Sequence, residues 1–357
     1  MKKIRLEKII PLIFAVIFIC TTISCNVRER NKANEYSPRT VPFNSTFEAF
    51  DTICTISIYG KLNESDAEKC IANIKELLYR YDKMFSRTNE ESEIYKINHR
   101  QSDEIYTYSE VANLFKISKD FYMWSGEAFD VSGGTLYELW DIKNRKELPL
   151  QTEIEEALKH IGNFDYDVEI VDDDTAQSKI TFYGDKKTIY DFGALVKGYV
   201  CVAIKKLLEE DENVKAALIS LGGNVYCYGK LIDREGGNFR VGIYKPFSNG
   251  ELADTISVHD TCVITSGNYE RYFKVKGDDR IYHHIISPYD GYPTNNGIDS
   301  VTIISESGLL GDYLSTAVMI LGEKKGIELI KKCKEELKIE IDVIFIYSDG
   351  KIVKPFA

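Results

Sequence analysis

The 357-residue sequence predicts an α+β fold of mixed, mainly antiparallel sheets with helices packed on them. Three observations lead there. Short apolar strands arrive in runs, most of them followed by hairpin-type turn residues. Helical stripes are grouped between those runs instead of alternating with them one for one, and no linker divides residues 45–357. With 44% hydrophobic residues, a body of that length builds a large core.

The elements follow in order. TICTISIYG (52–60) reads as a strand. Residues 66–83 place Cys70, Ile74, Leu77, Leu78 and Tyr81 on one helical face, the i, i+4, i+7, i+8 stripe. A second amphipathic helix covers 109–124, with Leu114, Phe115, Ser118, Phe121 and Tyr122 inward. A third starts at Thr152, with Glu155 three residues on as a capping box, and carries Leu158 and Ile161. Strands are expected at 180–183, 188–192, 215–220, 239–243, 255–258, 262–265, 270–275, 281–287, 301–305 and 342–347, the last closing through Asp349-Gly350 onto KIVK. Helices are expected at 195–209, 312–321 and 323–337.

The first residues have a different character. A basic start (Lys2, Lys3, Arg5, Lys8) precedes an apolar stretch from Ile9 to Cys20, then small polar residues and Cys25. This is a secretory signal pattern, too short for a comfortable transmembrane helix. Its end at Ile23-Ser24-Cys25 suggests a bacterial lipoprotein: a signal peptide over 1–24, lipidated Cys25, and a flexible tether over 25–44. An uncleaved anchor is the other reading, and both put the body, 45–357, outside the cytoplasm on a membrane, with the periplasmic side favoured. Removing 1–24 takes away four basic residues and Glu7, which lowers the net charge of −11 by three, to −14. So acidic a body argues against nucleic acid or anionic lipid as principal partner. Cys54, Cys70, Cys201, Cys227, Cys262 and Cys333 are widely spaced without a C-x-x-C pair, and read as buried apolar residues, one disulfide remaining open.

Four segments carry candidate chemistry. In IYDFGALVKGYV (189–200), Asp191 ends an apolar strand, Gly193 permits a tight turn and Lys197 enters the following helix, a junction suited to an anionic group. A capping aspartate and a solvated lysine fit that window as well, and its spacing is not that of a P-loop. In LISLGGNVYCYG (218–229), two glycines break an apolar strand, permitting a bulge or the close approach of a ligand. RIYHHIISPYDGYP (280–293) holds His283 and His284, which strand alternation points to opposite faces, one structural and the other a general-base candidate. In LLGDYLSTAVMILG (309–322), Asp312 and Thr316 share a helical face as hard oxygen donors suited to Mg²⁺ or Ca²⁺. Asp312 as N-cap with Thr316 packed fits that window equally.

Taken together and in order, FSRTNEESEIYKIN, FDVSGGTLYELW, DFGALVKG, SLGGN, TSGNYERYF, HHIISPYDGYP and GDYLSTAVMILG resemble the FAD:protein FMN transferases, the ApbE-type flavin transferases, over about residues 47–322. Each motif is weak alone, and seven in correct order are hard to produce by chance. The resemblance implies an ApbE-like, T-fold-related architecture and an enzyme that moves the FMN half of FAD onto a threonine or serine of another exported protein, such as a membrane redox-complex subunit, releasing AMP. It implies Mg²⁺ held by Asp312, Thr316 and the Ala194 carbonyl, and FAD contacted by Asp191 and Lys197. It further implies flavin contacts from Trp140, Asp141 and Ile142, and from His284, Ile285 and Ile286, with His284 assisting proton removal and Lys197 the second catalytic group. Three positions depart from the pattern: Phe50-Asp51-Thr52 stands for M-G-T, Thr88 for a flavin-stacking tyrosine, and Ser287 for the aspartate of H-I-x-D-P. Phe50 and Thr88 still occupy cofactor-contacting positions. Those departures keep two alternatives in view, an FAD pyrophosphatase giving FMN and AMP, and an exported FAD-binding lipoprotein without turnover.

Overall fold

The computed structural model describes residues 41–171 and 177–356. The predicted signal peptide, Cys25 and nearly all of the tether lie outside these residues. The frame is an antiparallel eight-stranded sheet in the order β1-β2-β6-β7-β10-β13-β14-β15. Its strands are β1 (Phe43–Ala49), β2 (Thr52–Gly60), β6 (Val214–Leu221), β7 (Asn224–Gly229), β10 (Thr261–Gly267), β13 (Ile298–Ser305), β14 (Ile341–Tyr347) and β15 (Ile352–Val353). β1 therefore begins two residues inside the segment read as tether.

Strand alternation decides which face is covered. Along β2, Cys54, Ile56 and Ile58 are fully buried while Ile53 is exposed. Helices α1 (Glu64–Phe85), α6 (Val196–Glu209) and α7 (Gly308–Leu337) cover the face that carries the main core. On the opposite face, the hairpin of β8 (Phe239–Tyr244) and β9 (Leu252–Val258) buries Phe239, Val241 and Ile243 against Ala216, Val263 and Ile344. α2 (Glu93–Asn98), α3 (Ser109–Trp124) and a three-stranded sheet, β3 (Glu104–Thr107), β5 (Ser178–Phe182) and β4 (Tyr166–Glu169), extend the main core. A third core of Leu136, Trp140, Ile142, Ile154, Phe273, Tyr282 and Ile286 joins α4 (Gly134–Trp140) and α5 (Gln151–Leu158) to the β11 (Tyr272–Lys274) and β12 (Ile281–His283) pair. All six cysteines in the described residues are buried and free, as their spacing suggested.

Several expected bounds move for local reasons. The strand expected over 188–192 shrinks to a single bridge, Gly133 to Ile189. The Asn98 side chain replaces a neighbouring strand there, donating to the Tyr190 carbonyl at 2.9 Å and accepting from its N–H at 2.8 Å. The helix start lies two residues earlier than read and carries half of a capping box: Glu153, not Glu155, accepts from the Leu150 N–H at 2.7 Å, and leucine has no side-chain acceptor to complete it. The two expected C-terminal helices form one element broken at Gly322, with φ 77° and ψ 174°. That element starts at Gly308, capped by Ser307, whose hydroxyl accepts from Leu310 N–H at 3.3 Å. Asp312 is thus not the cap of its own helix.

Candidate active site

Asp312 performs a different capping task. α6 and α7 cross at Gly198 and Gly308, so closely that a Cβ on Gly198 would lie 2.1 Å from the Gly308 carbonyl oxygen. At that crossing the Gly198 N–H, in the first turn of α6, donates to Asp312 Oδ2 at 2.6 Å. Asp312 therefore satisfies an orphan donor of the neighbouring helix. Because that N–H does not fold back four residues, the Ala194 carbonyl is left without an amide of α6. The other carboxylate oxygen, Oδ1, accepts from Asn224 Nδ2, also at 2.6 Å. Asp312 is 4% exposed, and burial pushes its pKa up, opposed by the Lys197 charge and then by the two hydrogen bonds.

One helical turn on, Thr316 is partly exposed on the same face of α7, with Ser266 Oγ of β10 at 3.4 Å from its hydroxyl and 2.8 Å from that of Ser315. The structure thus places two of the predicted ion-binding groups, Asp312 and Thr316, on one face of α7, and among the described residues the third, the Ala194 carbonyl, accepts no backbone amide at the helix mouth that Asp312 caps. The donor chemistry fits Mg²⁺: one carboxylate, hydroxyls and a backbone carbonyl, all hard oxygens, suffice for an ion that keeps waters and takes substrate phosphate. Among the described residues no group of three or more His, Cys, Asp or Glu side chains forms an alternative cage.

Around this corner stand a lysine and two histidines. Lys197 Nζ lies 3.5 Å from the Gly193 carbonyl. His283, the last residue of β12, is buried and its Nε2 meets the Thr294 carbonyl at 2.7 Å, a structural role. His284 follows it, partly exposed, with Nδ1 3.4 Å from the Arg271 carbonyl, which leaves Nε2 as the basic nitrogen. Burial first, then the adjacent His283 ring and the charges of Arg271 and Lys197, hold the His284 pKa down to about 3. Asp191 is partly buried and already engaged: Gly193 N–H donates to one oxygen at 2.8 Å and Arg87 Nε to the other at 2.9 Å. Arg87 also reaches Glu138 at 2.7 Å.

The expected flavin contacts separate into two groups. Trp140 is fully buried, stacked near Tyr282, and donates its indole N–H to the Gly291 carbonyl at 2.7 Å. Its side chain lies in the third core, with no surface exposed to a ligand in this structure. Ile142, Ile285 and Ile286 are buried as well, at 8%, 5% and 4% exposure, Ile142 and Ile286 in the third core and Ile285 in the main core. Phe50, Asp51, Thr88 and Asp141 lie on turns with surface to offer. Phe50 and Asp51 form the β1–β2 turn with φ of 53° and 56°, both left-handed. Arg271 touches the Asp51 carbonyl at 3.4 Å. The glycine pair is a hairpin turn, with φ of 63° at Gly222 and 82° at Gly223. The unshifted register across it shows that it is not a bulge. Asn224, Ser266 and Arg271 lie within the quoted motifs SLGGN and TSGNYERYF but were given no role from the sequence; the local signal for Asn224 was a polar residue opening an otherwise apolar strand.

A buried carboxylate and a hydroxyl on one helix face, with a lysine and a histidine nearby at the mouth of a helix, form a donor set suited to an enzyme acting on a phosphorylated, anionic substrate. The model described as the ApbE family matches residues 50–341, and the chain belongs to that family. It is 31% identical over 292 residues, covering 81% of this chain and 85% of the relative, to the FAD:protein FMN transferase of Klebsiella pneumoniae strain 342. To the FAD:protein FMN transferase of Treponema pallidum strain Nichols it is 27% identical over 350 residues, 94% of this chain and 91% of the relative. The ApbE protein of Thermotoga maritima superposes with a TM-score of 0.72 at 28% identity, covering 88% of this chain and 96% of that one. The flavinyl transferase ApbE of Pseudomonas stutzeri shares the fold, with a TM-score of 0.72 at 22% identity over 90% and 96% of the two chains.

Proposed function

We propose that this chain is a Mg²⁺-dependent FAD:protein FMN transferase, exported, lipid-anchored through Cys25 at the cell envelope, acting on a threonine or serine hydroxyl of an exported acceptor protein. The observation that carries the metal-dependent part is the Asp312 carboxylate, buried and held between Gly198 N–H and Asn224 without a bonded cation among the described residues. Burying an ionised carboxylate is costly unless a positive charge joins it.

In the reaction, the acceptor oxygen attacks the FMN-side phosphorus of FAD, the bond from that phosphorus to the bridging oxygen breaks, and AMP leaves with the electron pair. Mg²⁺ at Asp312, Thr316 and the Ala194 carbonyl would neutralise charge on the pyrophosphate. Lys197 adds a fixed positive charge on the same side. His284 takes the hydroxyl proton on Nε2. Burial is the main cause of its low pKa; an anionic pyrophosphate beside Lys197 and Arg271 would offset the smaller contribution of their charges and raise its basicity. No covalent enzyme intermediate is needed.

The test is to incubate the purified protein with FAD, Mg²⁺ and a threonine-bearing acceptor. AMP release together with a fluorescent acceptor band is expected. AMP release at full rate without acceptor would replace this reading by an FAD pyrophosphatase. Cys25→Ser is expected to move the protein out of the membrane fraction, and retention there would overturn the lipid anchor.

A further inference from the structure

The reaction as described leaves Asn224 without a task, although it sits at the centre of the site. Asn224 is the first residue of β7, paired with Leu221 and Ile264 and 5% exposed. The left-handed Gly222-Gly223 turn delivers it there. Strands disfavour asparagine, and the apolar run on either side would accept a β-branched residue. Among the described residues its one side-chain hydrogen-bond partner is Asp312 Oδ1.

We infer that Asn224 is a positioning residue, which fixes the plane of the Asp312 carboxylate so that its remaining lone pairs face the ion. This rests on the metal-dependent reading proposed above. An ionised carboxylate only accepts hydrogen bonds, so the amide must turn its NH₂ toward Asp312. One carboxylate oxygen is thereby held from strand β7 and the other from helix α6, each at 2.6 Å. Charge-assisted bonds on both oxygens, coming from two rigid elements, leave the group no rotation that keeps both. Groups that orient a metal ligand in this way are worth about 10- to 100-fold in metal affinity.

The experiment measures binding, not turnover. Full-length protein is titrated with Mn²⁺, read by the EPR signal of the free ion and competed with Mg²⁺. The variants are Asn224→Leu, which keeps the volume and removes the donor, and Asn224→Ala. Asn163→Ala serves as a control, since Asn163 donates at 2.9 Å to Thr188, in another part of the molecule. The expected result is a Kd for Mn²⁺ weakened about 10- to 100-fold in both Asn224 variants, with the control unchanged apart from its melting temperature. If one Asn224 variant does not fold, Asn224→Ser, with a shorter donor, replaces it and is expected to give an intermediate Kd. Wild-type affinity in the folded Asn224 variants, whatever their stability, would overturn the inference and leave the metal site standing. Wild-type protein that takes up no Mg²⁺-competable Mn²⁺ would overturn the metal reading itself.

Discussion

The corner where α6 meets α7 and the rim around the β1–β2 turn are built by opposite rules. In the corner, Asp312, Gly198 and Asn224 are buried, partnered at 2.6 Å and carried on helices and a strand. On the rim, Phe50, Asp51 and Thr88 sit on turns, two of them with left-handed backbone, and Arg271 touches Asp51 at 3.4 Å. The corner keeps the motif residues that the resemblance implies, whereas two of the three departures, at Phe50-Asp51-Thr52 and Thr88, fall on the rim. Phosphate chemistry tolerates little displacement, since about 1 Å of misplacement costs on the order of 100-fold. Contact with a flat ring is spread over many weak interactions and adapts residue by residue.

The sharpest way to break this contrast is Gly198→Ala. The new Cβ would stand 2.1 Å from the Gly308 carbonyl oxygen and 2.9 Å from Asp312 Oδ2, so the helices must part. A stability loss of about 1–3 kcal/mol is expected, with transfer reduced about 100-fold, measured by denaturant melts and AMP release. Near-normal turnover would show that the corner is not rigid.

The next effect is a pH dependence. His283 and His284 are held neutral in the folded protein, His284 with a pKa of about 3 against 6.5 when free. Below pH 6.5 the unfolded chain binds protons that the folded chain refuses. Stability is therefore complete above pH 6.5 and declines as pH falls toward 3, by at most about 1.4 kcal/mol per pH unit for each histidine, and less for the partly exposed His284. Melting temperatures between pH 7 and pH 4 should show the decline, and His284→Gln should flatten it; an identical slope in that variant would remove His284 from the account.

Smaller effects are expected on the rim. If Thr88 stands at the flavin-stacking position that the resemblance implies, Thr88→Tyr adds an aromatic face there, gaining about 0.5–1.5 kcal/mol, or roughly 2- to 10-fold in FAD affinity, as read by flavin fluorescence. Unchanged affinity would place the ring elsewhere. Asp51→Gly relieves a left-handed φ of 56° and loses only an exposed contact with Lys143 at 3.4 Å. A gain of about 1 kcal/mol is expected, seen as a rise of about 1–2 °C in Tm, with catalysis unaffected.

What the sequence disclosed follows the same division. The helix over 109–124 is observed as Ser109–Trp124, because its apolar stripe needs no tertiary information. The turn at Asp349-Gly350 and the strands from 239 to 265 were legible for the same local reason. β3 and β4 are four residues each, too short to carry a periodic signal. The strand expected over 188–192 failed because the Asn98 amide, ninety-two residues away, took over the hydrogen bonds of Tyr190. Asp312 and Thr316 shared a face by helical spacing alone. That Asp312 caps a neighbouring helix depends on the glycine crossing, which no local pattern encodes. The burial of the Trp140 ring was not legible, because its motif gives no sign of which way the ring points.

The most direct test of the central claim is a Mg²⁺ titration of AMP release and acceptor labelling for wild-type protein and Asp312→Ala, with folding checked in parallel. The account predicts loss of both activities in EDTA, their recovery with Mg²⁺ in the wild type alone, and a stability change in Asp312→Ala of only about 1–3 kcal/mol. Wild-type rates in EDTA, or Mg²⁺-dependent transfer retained by Asp312→Ala, would contradict it.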